Sequence, residues 1–163
     1  MVIGSFTAFY QIKLKRLLIY SAIVNNSFFL LSFSGGTFLN LQSFMLYLYF
    51  YIILIFGLFT LLLSLRRLNN FFLIKKIYEL KYLFFINPIL ALTFSFFLFS
   101  IAGIPPFIGF FGKFYIFYSL LDISVFFIIV FFILLSIFSV FYYIRLINIM
   151  FFSIFSKIFY IDN

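Results

Sequence analysis

The chain of 163 residues is 67% apolar and only 9% charged, and its 11 basic and three acidic residues give a net charge of +8. Soluble domains average about 45–50% apolar and about 25% charged residues, so this composition excludes a soluble enzyme, a disordered tail and a secreted disulfide scaffold. The basic residues flank long uncharged runs, which favours orientation in a lipid bilayer over nucleic-acid binding.

Two apolar runs in the first half of the chain are long enough to cross a bilayer, which takes about 17–25 residues. The first covers residues 17–34 and follows a basic cluster, and the second covers residues 41–64. Residues 65–82 then mix basic and apolar side chains. This mixture predicts an interfacial amphipathic connection rather than another span.

Three further membrane helices are predicted in the second half of the chain. The third covers residues 83–104 and ends at Pro105 and Pro106, because proline cannot continue a helix. The fourth covers residues 107–121, and the fifth covers residues 123–150. The sequence therefore predicts an all-α polytopic bundle of about five transmembrane helices, forming a single membrane domain over residues 1–163.

If the five predicted helices cross the membrane in alternating directions, the basic residues divide unequally between its two sides. Only Arg145 and Lys157 fall on one side of the membrane. The basic residues of the other side are Lys13, Lys15, Arg16, Arg66, Arg67, Lys75, Lys76 and Lys81. The positive-inside rule makes this second side cytoplasmic or, in a mitochondrion, matrix-facing.

Lys113 is the most informative residue for function, because it lies midway along the fourth predicted helix and that helix has no acidic residue. An intramembrane lysine costs about 2.5–3.5 kcal/mol on insertion scales and is a functional-site candidate by default. Since a lysine can bind and release a proton, Lys113 is a candidate for a proton relay. The alternative is a lysine that snorkels to the membrane surface from a short helix.

The segment before Lys113, GIPPFIGFFG, is too rich in glycine and proline for a regular helix. Non-helical backbone at membrane depth occurs only where it is buried in protein or lines an aqueous cavity, and broken helices accompany ion-transport sites. An ordinary turn at the membrane surface is the alternative. The predicted helix-break residues are Gly103, Pro105, Pro106, Gly109 and Gly112.

The first predicted helix carries the polar residues Ser21, Asn25 and Asn26 among apolar neighbours. Ser21 and Asn25 share one face of the helix, and Lys15 lies about a turn below Ser21. Such a polar stripe can hold a chain of water molecules. Polar packing between helices, at about 0.6 kcal/mol per contact, is the favoured alternative when this helix is considered alone.

No catalytic, cofactor or metal site is predicted in this chain. The sequence has no cysteine and no histidine, and it lacks Walker A, Rossmann and HExxH motifs. If the chain belongs to an enzyme, the redox or hydrolytic centre therefore lies in another subunit.

Three stretches resemble one family, the antiporter-like subunits of proton-pumping NADH–quinone oxidoreductase (respiratory complex I). The stretch SFFLFSIAGIPPFIGFFGKFYIF resembles the family's SLAGIPP…GFFGKF segment, and QIKLKRLLIYSAIVNNSFFLL resembles its Q…LKRLLAYSSI segment. Downstream, FSVFYYIRLI is similar to the family's YYYLR element. The lysine of GKF favours the subunit 2 type, and the match covers most of residues 4–150.

The resemblance implies a bundle of two inverted five-helix repeats, each containing a discontinuous helix. The five predicted helices would match the second repeat. A split subunit is therefore expected, in which this chain is the C-terminal half and the N-terminal half is encoded separately.

The resemblance also implies roles for individual residues. Lys113 matches the lysine on the family's discontinuous twelfth helix, which passes protons toward the outer side. Lys15 and Arg16 match the basic pair of the LKRLL element, and Asn25 stands where many relatives have histidine. In this chain, hydrated polar side chains would replace that histidine. The expected proton relay comprises Lys113, Lys15, Ser21, Asn25 and Asn26.

The function implied by the resemblance is proton translocation as a core membrane-arm subunit of complex I, part of an NADH:ubiquinone reductase. NADH, FMN, iron–sulfur clusters and ubiquinone are expected in partner subunits, and the expected partners are other membrane-arm subunits and membrane lipids, not nucleic acid. The 33 phenylalanines and the absence of tryptophan suggest an organelle genome, so the expected location is the mitochondrial inner membrane. The alternatives are a cation/proton antiporter or membrane-bound hydrogenase subunit of the same fold, and a purely structural membrane subunit.

Overall fold

The structure is a computed structural model that describes residues 1–65, 76–81, 83–121 and 126–152. Most of the predicted connection over 65–82 and Lys157 lie outside these residues. The elements of the described part are all helical. They are α1 (Val2–Phe9), α2 (Leu14–Ser34), α3 (Phe38–Ser64), a short 3₁₀ helix (Ile77–Leu80), α4 (Leu83–Ile86), α5 (Pro88–Ala102), α6 (Ile108–Leu120) and α7 (Phe126–Phe152).

The helix lengths divide the bundle into full and half spans. Within the described residues, α2, α3 and α7 are long and apolar enough to cross a membrane, with 21, 27 and 27 residues. With 15 and 13 residues, α5 and α6 rise only about 22 Å and about 20 Å, less than the about 30 Å of a hydrocarbon core. The predicted all-α membrane bundle with a break around GIPP is therefore confirmed.

The break separates α5 and α6 into two half-helices that overlap side by side. The φ of +83° at Gly103 ends α5 in the left-handed region, which glycine adopts without steric penalty. The chain then turns back, so that the ring of Phe107 packs against Phe96 and Phe99, with centroids 4.6 Å and 5.8 Å apart. The far end of α6 lies beside the start of α3, where the Ser119 and Ser43 hydroxyls are 2.9 Å apart, so α6 continues the crossing that α5 begins and the two form one discontinuous helix.

The structure corrects the predicted side of Arg145. The N–H of Ile77 donates to the Ile12 carbonyl at 3.0 Å, so the segment after α3 lies beside the start of α2. Arg145 Nη1 donates to the Phe9 carbonyl at 2.9 Å, at this same end of the bundle. The alternation was wrong for Arg145, because α5 and α6 together supply one crossing instead of two. We call this end, with Lys13, Lys15, Arg16, Lys76, Lys81 and Arg145, the basic end.

Buried apolar side chains form one cluster toward each end of the bundle. The larger cluster, near the basic end, joins residues of α2, α3, α5 and α7, among them Leu17, Leu98 and Leu146. The smaller cluster lies toward the opposite end and includes Phe28 and Ile116. The level between these two clusters is where the helix break lies.

Single cysteines test the placement of the helix ends, because the chain has no native cysteine. Ile12 and Phe152 lie at the basic end and Phe38 at the opposite end, with exposed fractions of 61%, 62% and 81%. We expect a membrane-impermeant thiol reagent on one side of sealed membranes to label Ile12→Cys and Phe152→Cys but not Phe38→Cys. Labelling of positions 38 and 152 from the same side would contradict the arrangement.

Candidate functional site

Lys113 lies inside the bundle, at the helix break. Its side chain is only 5% exposed, so it does not snorkel to the surface of the chain. The Nζ donates to the carbonyl oxygens of Ile101 at 3.1 Å and Ala102 at 2.9 Å, the last two residues of α5. The Nζ also lies 5.2 Å from the centroid of the Phe28 ring, within range of a cation–π interaction.

Lys113 completes the hydrogen bonding at the C-terminus of α5. A helix leaves its last four carbonyls without partners inside the helix. The Gly103 N–H donates to the carbonyls of Phe99 and Ser100, both at 3.1 Å, and Lys113 supplies the donors for the remaining two. Since a helix C-terminus carries a partial negative charge, these carbonyls also stabilise the ammonium group.

Two of the predicted helix-break glycines permit this close approach. A Cβ on Gly109 would lie 1.7 Å from the carbonyl oxygen of Ser100, so only glycine fits where α6 passes α5. A Cβ on Gly103 would lie 2.9 Å from Lys113 Cδ. Pro105 and Pro106, which are joined by a cis peptide bond, lie in the connection between the half-helices.

Gly112, the last of the predicted break residues, lies one position before Lys113 on α6. A Cβ there would meet Tyr47 Cδ2 at 2.7 Å, so this glycine brings α6 close to α3. The close contact places the buried lysine beside the polar face of α3.

Buried polar side chains surround the lysine on the side of the basic end. Asn25 of α2 is 3% exposed, and its Oδ1 accepts a hydrogen bond from the Tyr47 hydroxyl at 3.3 Å. One turn toward the basic end, Ser21 is 4% exposed and donates to the Leu18 carbonyl at 2.8 Å. Tyr143 of α7 is 1% exposed, and its buried hydroxyl has no hydrogen-bond partner among the described residues.

A cavity connects these residues to the basic end. It has a volume of about 420 Å³ and is lined by side chains of α2, α3 and α5, among them Lys15, Ser21, Asn25, Tyr51 and Ile101. A void of about 10 Å³, lined by Asn25, Tyr51, Ile101 and Lys113, continues from it. This void has room for about one water molecule. The cavity is therefore mostly apolar with polar side chains at Lys15, Ser21, Asn25 and Tyr51, and it shares part of its wall with the void beside Lys113.

The structure brings together most, but not all, of the predicted relay residues. Lys15, Ser21 and Asn25 line the cavity, and Lys113 lines the adjoining void together with Asn25. Asn26 is on the exposed face of α2, because consecutive helical residues are about 100° apart. The structure thus places Asn26 away from the cavity.

Three tyrosines near the lysine were not among the predicted relay residues. Tyr47 is 3% exposed, and its ring stacks on that of Tyr51 with centroids 6.1 Å apart. Tyr143 is 1% exposed. The four-residue spacing of Tyr47 and Tyr51 places them on one helix face, and this spacing could have identified them from the sequence as neighbours in a polar site.

The described residues hold no group of three or more histidine, cysteine, aspartate or glutamate side chains that could bind a metal. Of the three acidic residues in the chain, only Glu79 lies in the described part, in the 3₁₀ helix at the basic end. Backbone carbonyls are therefore the groups that hold the ammonium of Lys113.

Comparison with known proteins identifies similar chains. Residues 1–139 match the family model described as NADH:quinone oxidoreductase/Mrp antiporter, transmembrane. The chain is 34% identical over 126 residues to NADH-quinone oxidoreductase subunit N of Paramagnetospirillum magneticum, covering 77% of this chain and 26% of that relative. It is 40% identical over 126 residues to NADH-ubiquinone oxidoreductase chain 2 of Marchantia polymorpha, covering 77% and 25%.

Among solved structures, the chain is similar to one chain of respiratory complex I from Thermus thermophilus with bound aureothin. The TM-score is 0.77 at 29% sequence identity, and the match covers 93% of this chain and 34% of that chain. The chain spans about a quarter of the length of the curated relatives that it matches.

Proposed function

The chain belongs to the NADH:quinone oxidoreductase/Mrp antiporter transmembrane family, and from this premise we propose that it is a core membrane-arm subunit of respiratory complex I. Its proposed activity is proton translocation, coupled to NADH oxidation and ubiquinone reduction in other subunits. The observation that carries the proposal is the buried Lys113 at a helix break, beside a void that adjoins a cavity lined by Lys15, Ser21 and Asn25 among mostly apolar side chains.

In the proposed mechanism, a proton enters at the basic end and reaches Lys113 through water molecules in the cavity. Ser21, Asn25 and the neighbouring tyrosines supply hydrogen bonds along this path. The carbonyls of Ile101 and Ala102 accept hydrogen bonds from the ammonium form of Lys113. Release of the proton turns this ammonium into a neutral amine beside the same two carbonyls. Because Coulomb interactions are strong in a low-dielectric interior, charges that shift in neighbouring subunits can drive this exchange.

The proposal extends to partners and location. NADH, FMN, iron–sulfur clusters and ubiquinone would bind to partner subunits, and the chain's own residues would only carry protons. The relatives are about three times as long as this chain, and we propose that a separately encoded N-terminal half supplies the remaining helices of the fold. The proposed location is the mitochondrial inner membrane, in line with the similarity to chain 2 of Marchantia polymorpha.

A cation/proton antiporter is the second candidate, because the description of the matching family includes Mrp antiporters. In this reading, an antiporter of the same fold would use the buried lysine and the broken helix without NADH. Membership of an NADH-oxidising assembly therefore distinguishes the two functions.

A native gel of mild-detergent mitochondrial membranes tests the proposed membership. We expect the chain to co-migrate with a very large band that stains for NADH dehydrogenase activity, together with a polypeptide that carries the remaining helices. A substitution at the exposed Phe38, Phe38→Leu, is the control that should leave co-migration unchanged. Migration of the chain only in a separate species without NADH oxidation would refute the proposal.

A further inference from the structure

A groove opens on the exposed face of α7 at the basic end of the bundle. It has a volume of about 670 Å³, within the about 300–1,000 Å³ that is usual for small-molecule sites. It shares no lining residue with the cavity of Lys15 or with the void of Lys113. The site around Lys113 therefore does not account for this groove.

The groove brings together two cations from distant parts of the chain. Lys81 follows the 3₁₀ helix, and its neighbour Leu80 is fully buried, which fixes this segment against the bundle. Arg145 comes from α7, and both cations are exposed. No acidic side chain is among the described residues that line the groove. The walls of the groove therefore do not neutralise its positive charge.

The fold holds the Arg145 side chain in place and leaves most of its donors available. Its Nη1 donates to the Phe9 carbonyl at 2.9 Å. A guanidinium has five N–H donors in a planar fork, and this fork matches two oxygens of a phosphate group. Asn148 lies three residues further along α7, on the same helix face, and adds an amide donor to the groove. This donor set suits an anionic phosphate group.

The wall of the groove next to these donors is apolar. Phe141 and Ile144 line it, with exposed fractions of 56% and 37%. With 27 residues, α7 rises about 40 Å, more than the about 30 Å of a hydrocarbon core, so its last turns extend beyond the apolar layer. Arg145 is about 10 Å from the end of α7, near the boundary of this layer, and Phe141 is about 6 Å deeper. The groove thus has positive charge at headgroup level and an apolar surface at acyl-chain level.

We propose that this groove binds one anionic phospholipid, whose phosphate contacts Lys81 and Arg145 and whose acyl chains lie along Phe141 and Ile144. Basic pockets at the membrane surface of helical bundles bind anionic headgroups in this way. An acidic protein segment fits less well, because about one helical turn separates the cations from the exposed phenylalanine, and a phospholipid carries its charge and its apolar chains at this close spacing. The inference concerns the surface of the bundle and does not depend on the proposed function.

Photo-crosslinking in reconstituted vesicles tests the site, with whichever membrane assembly contains the chain. The vesicles are phosphatidylcholine with a small share of a photoreactive lipid, either phosphatidylglycerol or phosphatidylcholine, and mass spectrometry measures the labelling of residues 141–152. We expect phosphatidylglycerol to label this segment several-fold more strongly. Lys81→Gln and Arg145→Gln should each lower its labelling about fivefold, the usual weight of one cation near an anionic lipid surface.

Two further variants separate a built site from general surface charge. Lys13→Gln is the matched control, because Lys13 is an exposed lysine at the basic end that does not line the groove. It should leave the labelling unchanged. Lys81→Arg keeps the positive charge in the groove and should retain most of the labelling.

Several results would overturn the lipid site. Equal labelling by the two lipids would do so, as would Lys81→Gln and Arg145→Gln variants that are labelled like the unsubstituted chain. Absence of labelling by either lipid would show that a partner subunit covers the groove, which also overturns it. If Arg145→Gln does not assemble, because the contact with Phe9 is lost, the exposed Lys81→Gln decides alone. None of these measurements depends on NADH oxidation or proton transfer, so failure of the lipid site and failure of the proposed function are distinguishable.

Discussion

Lys113→Met is expected to lower proton pumping by about 10²-fold or more, the usual consequence of removing a positioned proton-transfer group. Methionine fills similar space without a titratable nitrogen, so the void that Asn25 and Lys113 line would end at an apolar side chain. The carbonyls of Ile101 and Ala102 would lose their donor, at about 1–3 kcal/mol for a buried unpaired group. Removal of an intramembrane charge offsets this loss by about 2.5–3.5 kcal/mol, so we expect the complex to assemble.

The measurement for Lys113→Met is acidification by reconstituted vesicles, with the amount of assembled complex determined on a native gel. Lys13→Met is the matched control, because it removes an exposed lysine at the basic end. This control should pump at the normal rate. Normal pumping by Lys113→Met would show that the buried lysine serves packing only and would favour a purely structural subunit.

Gly109→Ala is expected to reduce the amount of assembled complex several-fold. The new Cβ would lie 1.7 Å from the carbonyl oxygen and 2.8 Å from the carbonyl carbon of Ser100, both backbone atoms. Relief requires separation of α5 and α6, since no side chain can rotate away. Overpacking a core costs about 1–3 kcal/mol and occasionally more, and losses of about 1–2 kcal/mol already change protein abundance several-fold.

Gly36→Asn is the control for the glycine experiment. Gly36 has a φ of +67°, and a Cβ there would have no heavy atom within 4 Å. Asparagine adopts this left-handed conformation more often than most other L-residues, and the site is open, so assembly should fall far less than for Gly109→Ala. Native gels and protease resistance of the membranes measure both variants. If Gly109→Ala assembles in full amounts, the two half-helices do not make the close contact described here.

The hydropathy of the sequence is sufficient to predict the long helices. The first span was predicted over residues 17–34, and α2 covers Leu14–Ser34. The second was predicted over 41–64, and α3 covers Phe38–Ser64. The helix break before Lys113 is also predictable, because the glycines and prolines of GIPPFIGFFG exclude a regular helix. These features depend on local sequence, and this is why they are predictable.

The side of Arg145 could not be predicted in the same way. Hydropathy does not distinguish two short spans from two halves of one discontinuous helix, and a proline pair fits either arrangement. The contacts at the far ends of α6 and α7 decide the number of crossings: the Ser119 hydroxyl lies 2.9 Å from that of Ser43, near the start of α3, and Arg145 donates to the Phe9 carbonyl at the basic end. A miscounted crossing then reverses the side of every later residue, and this explains the error at Arg145.

Hydrogen bonds between side chains of different helices could not be predicted from the sequence either. The Tyr47 hydroxyl meets Asn25 across two helices, and Ser43 meets Ser119 at a separation of 76 residues. Composition and spacing within one helix cannot show which faces of different helices meet. Helix spacing already placed Asn25, but not Asn26, on the face of Ser21, and the structure shows that Asn25 is buried and Asn26 is exposed.

The most direct test of the central claim, that Lys113 carries the transported proton, is the pumping rate of Lys113→Arg in the reconstituted complex. Arginine keeps its charge throughout the physiological pH range, so it can still donate to the carbonyls of Ile101 and Ala102 but cannot release a proton. We predict a complex that assembles normally and does not pump. Pumping at the normal rate would show that Lys113 only stabilises the end of α5, and it would contradict the account.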